Sequence, residues 1–218
     1  MDKKNVIVII GTPHLLTTPG KCSPDGRLRE AVYGREVGRE VKAILENYGY
    51  KVQFDYEGDK LPKTMQTPNA KLEQQRELAL RVNTVNDICK RSAEKCIYVS
   101  IHVNGIGTDG KWHDSRGFCV YTSPGKTQAD VLATCIWNRA KKNLPQDHKN
   151  AIRSDFSDGD PDFEAKLYVL TKTSCPAVLT ENLFQDNKED VAYLLSDAGR
   201  QAIVRLHVEG IIDYIERM

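Results

Sequence analysis

Ile97-Tyr98-Val99-Ser100-Ile101-His102-Val103-Asn104 is an apolar run that closes on an imidazole and an amide. A strand that buries its length and ends this way aims a metal-competent side chain out of the edge of a sheet. The pattern recurs twice. Val6-Ile7-Val8-Ile9-Ile10 runs into Gly11-Thr12-Pro13-His14, and Ala177-Val178-Leu179-Thr180 ends in Glu181. Three strand ends therefore carry groups able to coordinate a cation or move a proton.

Working outward, strand-like runs at 5–10, 51–56, 97–102, 117–121, 167–171 and 177–181 alternate with helical patterns at 28–48, 70–93, 127–143 and 199–216. In the first helix Val37, Val41, Ile44, Leu45 and Tyr48 recur at helical spacing, and Gly49 supplies the stop. This rhythm predicts an α/β fold: one domain over 1–218, with a largely parallel, twisted sheet of about six strands covered by helices on both faces. Segments 12–27, 105–116 and 145–163 read as loops, and long loops in such a domain serve the site.

A chain of 218 residues buries a full core without staples, and its six cysteines form no Cys-x-x-Cys pair, so they read as reduced thiols. Lys and Arg number 31 against 30 Asp and Glu, a net charge of +1, with no basic run to grip nucleic acid. The apolar run after Met1-Asp2-Lys3-Lys4-Asn5 is too short for a signal peptide, and nothing approaches the roughly 20 apolar residues that cross a bilayer. The expectation is a chain with no export signal of its own and no membrane insertion.

Parallel strands deliver their carboxyl ends to one edge, so His14, His102 and Glu181 should converge there despite their distance in sequence. A third ligand should come from a helix start on that edge. Glu30 holds that position, with Glu36 and Glu40 as alternatives on a charged solvent face. Two imidazoles and a carboxylate suit Zn²⁺, which in catalytic sites takes three protein ligands and leaves one position to water. Glu181, free of the ion, is the candidate proton acceptor. Taken singly, each has a plainer meaning: a satisfied core histidine, or a carboxylate offsetting a helix dipole. Glu181 resists that meaning, since a carboxylate after an apolar run needs a partner or a purpose.

Pro13-His14, Arg29-Glu30, Ser100-Ile101-His102-Val103-Asn104 and Glu181-Asn182-Leu183-Phe184 together resemble, in order and spacing, the motifs of the zinc-dependent N-acetylmuramoyl-L-alanine amidases of the amidase-3 type. The resemblance implies one Zn²⁺ per chain held by His14, Glu30 and His102, with Glu181 in catalysis. It selects Glu30 over Glu36 through its distance from Gly49-Tyr50. Leu80-Arg81-Val82-Asn83 also resembles the family's Arg-x-x-x-Ala-Asn helix, at shorter spacing. The implied substrate is the glycan-peptide of peptidoglycan, in cell-wall degradation or remodelling of the autolysin or endolysin kind. The enzyme is expected to be monomeric and to act on the bacterial wall, as a secreted or released lysin ahead of a wall-recycling enzyme or a chain trimmed of its signal. Asn104, Trp112 and His113 are expected to contact substrate. One departure stands out, for glycines usually flank the family's first histidine, whereas Thr12-Pro13-His14-Leu15-Leu16 has none.

Gly105-Ile106-Gly107-Thr108-Asp109-Gly110 imitates a dinucleotide-binding turn, but a strand rather than a helix is expected to follow it. No Gly-x-Ser-x-Gly elbow supports a serine hydrolase. The remaining alternative is a catalytically inactive wall-binding module of the same fold.

Overall fold

The computed structural model describes residues 5–107, 109–145 and 152–218. Met1 to Lys4 of the signal-like start, Thr108 of the glycine loop and residues 146–151 of the third expected loop lie outside the described residues. The order is β1 (Val6–Gly11), α1 (Glu30–Asn47), β2 (Lys51–Phe54), a 3-10 turn (Lys63–Met65), α2 (Ala70–Arg91), β3 (Lys95–Asn104), β4 (Cys119–Thr122), α3 (Gln128–Asn143), β5 (Phe163–Glu164), α4 (Tyr168–Thr171), β6 (Ala177–Phe184), α5 (Lys188–Leu194) and α6 (Asp197–Arg217). Among these residues no helix is long and apolar enough to cross a membrane.

The strands form one sheet in the order β2-β1-β3-β6-β4-β5. β2, β1, β3 and β6 are mutually parallel, whereas β4 runs against β6 and carries β5 alongside it. Residue alternation explains why both faces are covered. Val6, Val8 and Ile10 of β1 join Ile97, Val99 and Ile101 of β3 in a core shared with α1, α3 and α6. Ile7, Ile9 and Tyr98 point the other way, against Val82, Val85 and Ile88 of α2 and Val169 and Leu170 of α4. Full burial of each such aliphatic side chain contributes roughly 1.5–3 kcal/mol.

Two expectations change. Leu167 to Thr171 is not a strand: Tyr168–Thr171 forms a single helical turn that seats Val169 and Leu170 on the sheet. A short apolar run fits either conformation when it is buried on one side only. The sixth strand is instead Phe163–Glu164, which begins at the last residue of the segment expected to be loop. α5 has no apolar stripe long enough to announce it; its start is marked by Asn187, whose side chain accepts from the amides of Glu189 and Asp190.

The β3–β6 pairing aligns His102 with Glu181 and then Asn104 with Phe184, so β6 carries one extra residue at that point. Leu183 absorbs the bulge with a left-handed φ of 63°. The irregularity sits at the carboxyl edge, where the three polar strand ends emerge.

Candidate metal centre

His14 lies just past β1 in a left-handed conformation, φ 42°, which costs a non-glycine residue roughly 1–2 kcal/mol. Two buried arginines hold it there. Its carbonyl accepts from Nη2 of Arg35 at 2.8 Å and from Nη2 of Arg81 at 3.2 Å. Arg81 is itself fixed by Asp55 Oδ1 at 2.9 Å and Glu77 Oε1 at 3.0 Å, and the Tyr98 hydroxyl donates to the other oxygen of Asp55 at 2.9 Å. No glycine lies in Thr12–Leu16 around His14, but the helix beside that stretch has one. A Cβ on Gly34 of α1 would stand 2.5 Å from Cγ of Pro13, so that glycine lets the loop lie flat on the helix.

Glu30 opens α1, where the helix dipole favours a carboxylate. Its Oε1 accepts from the Val103 amide at 3.2 Å and meets Nδ1 of His102 at 2.9 Å. Its Oε2 lies 3.5 Å from Nε2 of His14 and 3.7 Å from Nζ of Lys21, yet has no hydrogen-bond partner although it is buried. The two imidazole rings stand 5.2 Å apart and nearly perpendicular. One ligand atom from each of His14, Glu30 and His102 falls within 4.8 Å of the others. A buried carboxylate with one orphaned oxygen near His14 and its other oxygen on His102 is, with the two imidazoles, the donor set of a divalent cation that accepts both nitrogen and oxygen.

The electrostatics agree. Burial pushes His14 down to about 3, leaving it neutral and able to ligate. For Glu30 burial works upward and is the largest single influence, but the hydrogen bond from His102 and the charges around it, Lys21 among them, together outweigh it and hold the group ionised. Glu181 moves the other way: burial, and then the charge of Glu30, raise it well above an ordinary carboxylate. Its Oε2 is also buried without a partner. Two neighbouring carboxylates pushed in opposite directions can take opposite parts in one reaction.

His14, His102 and Glu181 line a cavity of about 230 Å³ together with Lys21, Gln74, Glu77 and Tyr168. Trp112, His113 and Asn104 are not in that lining. Trp112 packs against the core, with Nζ of Lys188 5.9 Å from its ring centre. His113 meets Asp109 at 3.0 Å, and Asn104 Oδ1 accepts from the Gly105 amide.

The sequence does not single out Lys21 or Arg35, and it points to Arg81 through the resemblance without showing that the residue is buried. A cation inside a helix looks solvent-facing until its partners are known, although Glu77 and Arg81, four apart, are a readable pair. The asparagine of the helix motif also lies three residues further on than the sequence suggests. Asn83 is exposed, whereas Asn86 donates to the Lys172 carbonyl and accepts from the Ser174 amide, so Arg81-x-x-x-Val85-Asn86 is the register that bears structure.

Residues 8–213 match the family described as N-acetylmuramoyl-L-alanine amidase, and the chain belongs to that family. It is 32% identical over 126 residues to an endolysin of Bacillus phage SPP1, a stretch covering 57% of this chain and 42% of that protein. It is likewise 32% identical over 120 residues to the N-acetylmuramoyl-L-alanine amidase CwlM of Bacillus licheniformis, covering 52% and 38%. The aligned stretch thus spans less than half of these relatives' length. Among solved structures, the amidase AmiC2 of Nostoc punctiforme superposes with a TM-score of 0.71 at 25% identity over 98% of both chains. The CwlD amidase of Clostridioides difficile, solved in complex with the GerS lipoprotein, shares the fold with a TM-score of 0.76 at 19% identity, covering 97% and 99%.

Proposed function

We propose that this domain is a zinc-dependent hydrolase cleaving the amide between the lactyl group of N-acetylmuramic acid and L-alanine in peptidoglycan. The observation that carries the proposal is the grouping of His14, Glu30 and His102 within 4.8 Å beside the cross-strand carboxylate of Glu181. His14, Glu30 and His102 would hold the ion. When bound, Zn²⁺ supplies a Lewis acid that polarises an amide carbonyl and acidifies water.

Glu181 accepts the proton of the attacking water and returns it to the departing alanine nitrogen, which leaves as an amine while the lactyl carbonyl becomes a carboxylate. A cation beside it offsets the charge of Glu30 that raises it. Lys21, beside Glu30 on the cavity wall, adds positive charge near the developing oxyanion. Asn104, Trp112 and His113 fall to contacts with the glycan-peptide beyond the cavity. The resemblance to an endolysin and a wall amidase favours action on the bacterial wall, and we assign the monomer as the working unit.

Digestion of purified peptidoglycan tests the reading. Free alanine amino termini without new reducing sugars, abolished by a zinc chelator, are expected. New reducing ends would assign a different bond, and wall binding without any cleavage would favour the inactive binding module.

A further inference from the structure

On the face of β6 turned toward α6, away from the cavity, fully buried polar groups form one hydrogen-bonded line. His207 in α6, Thr180 and Asn182 in β6 are each 0% exposed. Nδ1 of His207 lies 2.7 Å from the Ile203 carbonyl, and Nε2 lies 2.9 Å from the Thr180 hydroxyl. Nδ2 of Asn182 is 3.1 Å from Thr180 Oγ1 and 2.8 Å from the carbonyl of His102.

The directions follow from what each group can do. A carbonyl only accepts, so the His207 proton is on Nδ1 and Nε2 is left as an acceptor. Burial pushes His207 down to about 4, which keeps it neutral and preserves that acceptor. The Thr180 hydroxyl must then donate to Nε2, leaving its oxygen to accept from Asn182. Asn182 in turn donates to the His102 carbonyl, at the point where regular β3–β6 pairing is interrupted. The Thr180 hydroxyl also lies 3.3 Å from the Ser100 carbonyl, a longer contact than the 2.9 Å to His207 Nε2 that leaves the imidazole as the nearer acceptor.

We infer that His207, Thr180 and Asn182 are positioning residues, a line from α6 that fixes the β3–β6 bulge and with it the orientation of the His102 ring toward its ligand partners. The part of this inference that concerns zinc rests on the function proposed above. None of the three residues lines the cavity, and the line reaches the site through the backbone carbonyl of His102.

The test replaces Thr180 by Val, which removes the hydroxyl at nearly constant volume, and by Ser, which keeps it. Zinc affinity is measured by chelator competition, and the histidine rings of the metal-free protein by long-range ¹H–¹⁵N spectra. Thr180→Val is expected to weaken zinc binding about 10-fold, as loss of an outer partner of a ligand does, and to shift the ring signals of His102 as well as His207. Thr180→Ser should restore both. Unchanged zinc affinity in folded Thr180→Val overturns the inference even if that variant melts earlier, because the line would then be structural only. If the unmodified protein binds no zinc, the metal reading fails, and the His102 ring signals alone decide: shifted, the line holds; unshifted, it does not. Should Thr180→Val not fold, Asn182→Ala takes its place in both measurements, where weakened zinc binding with shifted His102 signals supports the line and unchanged zinc binding overturns it.

Discussion

Glu181 stands opposite His102 across the parallel pair of β3 and β6, and both side chains line the same cavity. Neighbouring strands lie about 4.8 Å apart, so the proposed proton-transfer group and the proposed ligand ring are held side by side by backbone pairing alone. Neither residue depends on a flexible loop for its place.

Glu181→Gln keeps the shape and removes the basic oxygen. It should retain metal but lose turnover by about 10²–10⁴-fold, the usual worth of a positioned acid–base group. His102→Ala should instead lower metal content. Metal analysis and peptidoglycan release on the two purified variants separate the roles, and a Gln variant with normal turnover contradicts the assignment.

Arg81 balances Asp55 and Glu77 inside the protein. Arg81→Met would strand both carboxylates and release the His14 carbonyl. A stability loss of about 3–5 kcal/mol is expected from urea unfolding, because breaking a buried pair leaves uncompensated charge. A loss below about 1 kcal/mol would mean that the network is hydrated rather than dry.

Gly34→Ala places a methyl group 2.5 Å from Pro13 Cγ and 2.9 Å from the Ile101 carbonyl. The loop before His14 must lift. Overpacking of this kind costs roughly 1–3 kcal/mol, measurable as a lower melting temperature, and metal occupancy should fall with it. A variant that melts normally and loads fully would show that Pro13 has room to move.

Asp162 is buried beside Asp160, with Thr122 donating to it, and burial followed by the Asp160 contact pushes it up to about 8. Its value when unfolded is 3.8, so the native chain binds the extra proton between the two. The stabilisation from this group is complete below about pH 4 and is lost as the pH rises toward about 8. Asp162→Asn should therefore flatten the decline of stability across that window, with its clearest gain near pH 8. Urea midpoints at a series of pH values check it, and equal slopes in both proteins would refute it.

The ends of β1, β3 and β6 are legible in the sequence because each is an apolar run stopped by one polar residue, and strand direction then carries His14, His102 and Glu181 to one edge. Glu30 is less so. Its place at the first turn of α1 agrees with the spacing argument, but the Val103 amide that orients it belongs to a strand 73 residues away. The reversal of β4 is invisible because Cys119–Thr122 has the same apolar character in either direction. Arg81 is named by the resemblance, but its burial goes unannounced for the same reason as α5 does: partners distant in sequence decide it, and no local periodicity reports them.

The His14 carbonyl is gripped from two sides, by Arg35 on α1 and by Arg81 on α2. Those helices pack on opposite faces of the sheet. On the proposed zinc reading, His14 is latched only when both layers have docked, so ion capture would be the final act of folding rather than its trigger. Metal-free and zinc-loaded protein should accordingly refold at one common rate in stopped-flow experiments and differ only in how slowly they come apart; a refolding rate that climbs with zinc would show that the ion organises the layers instead.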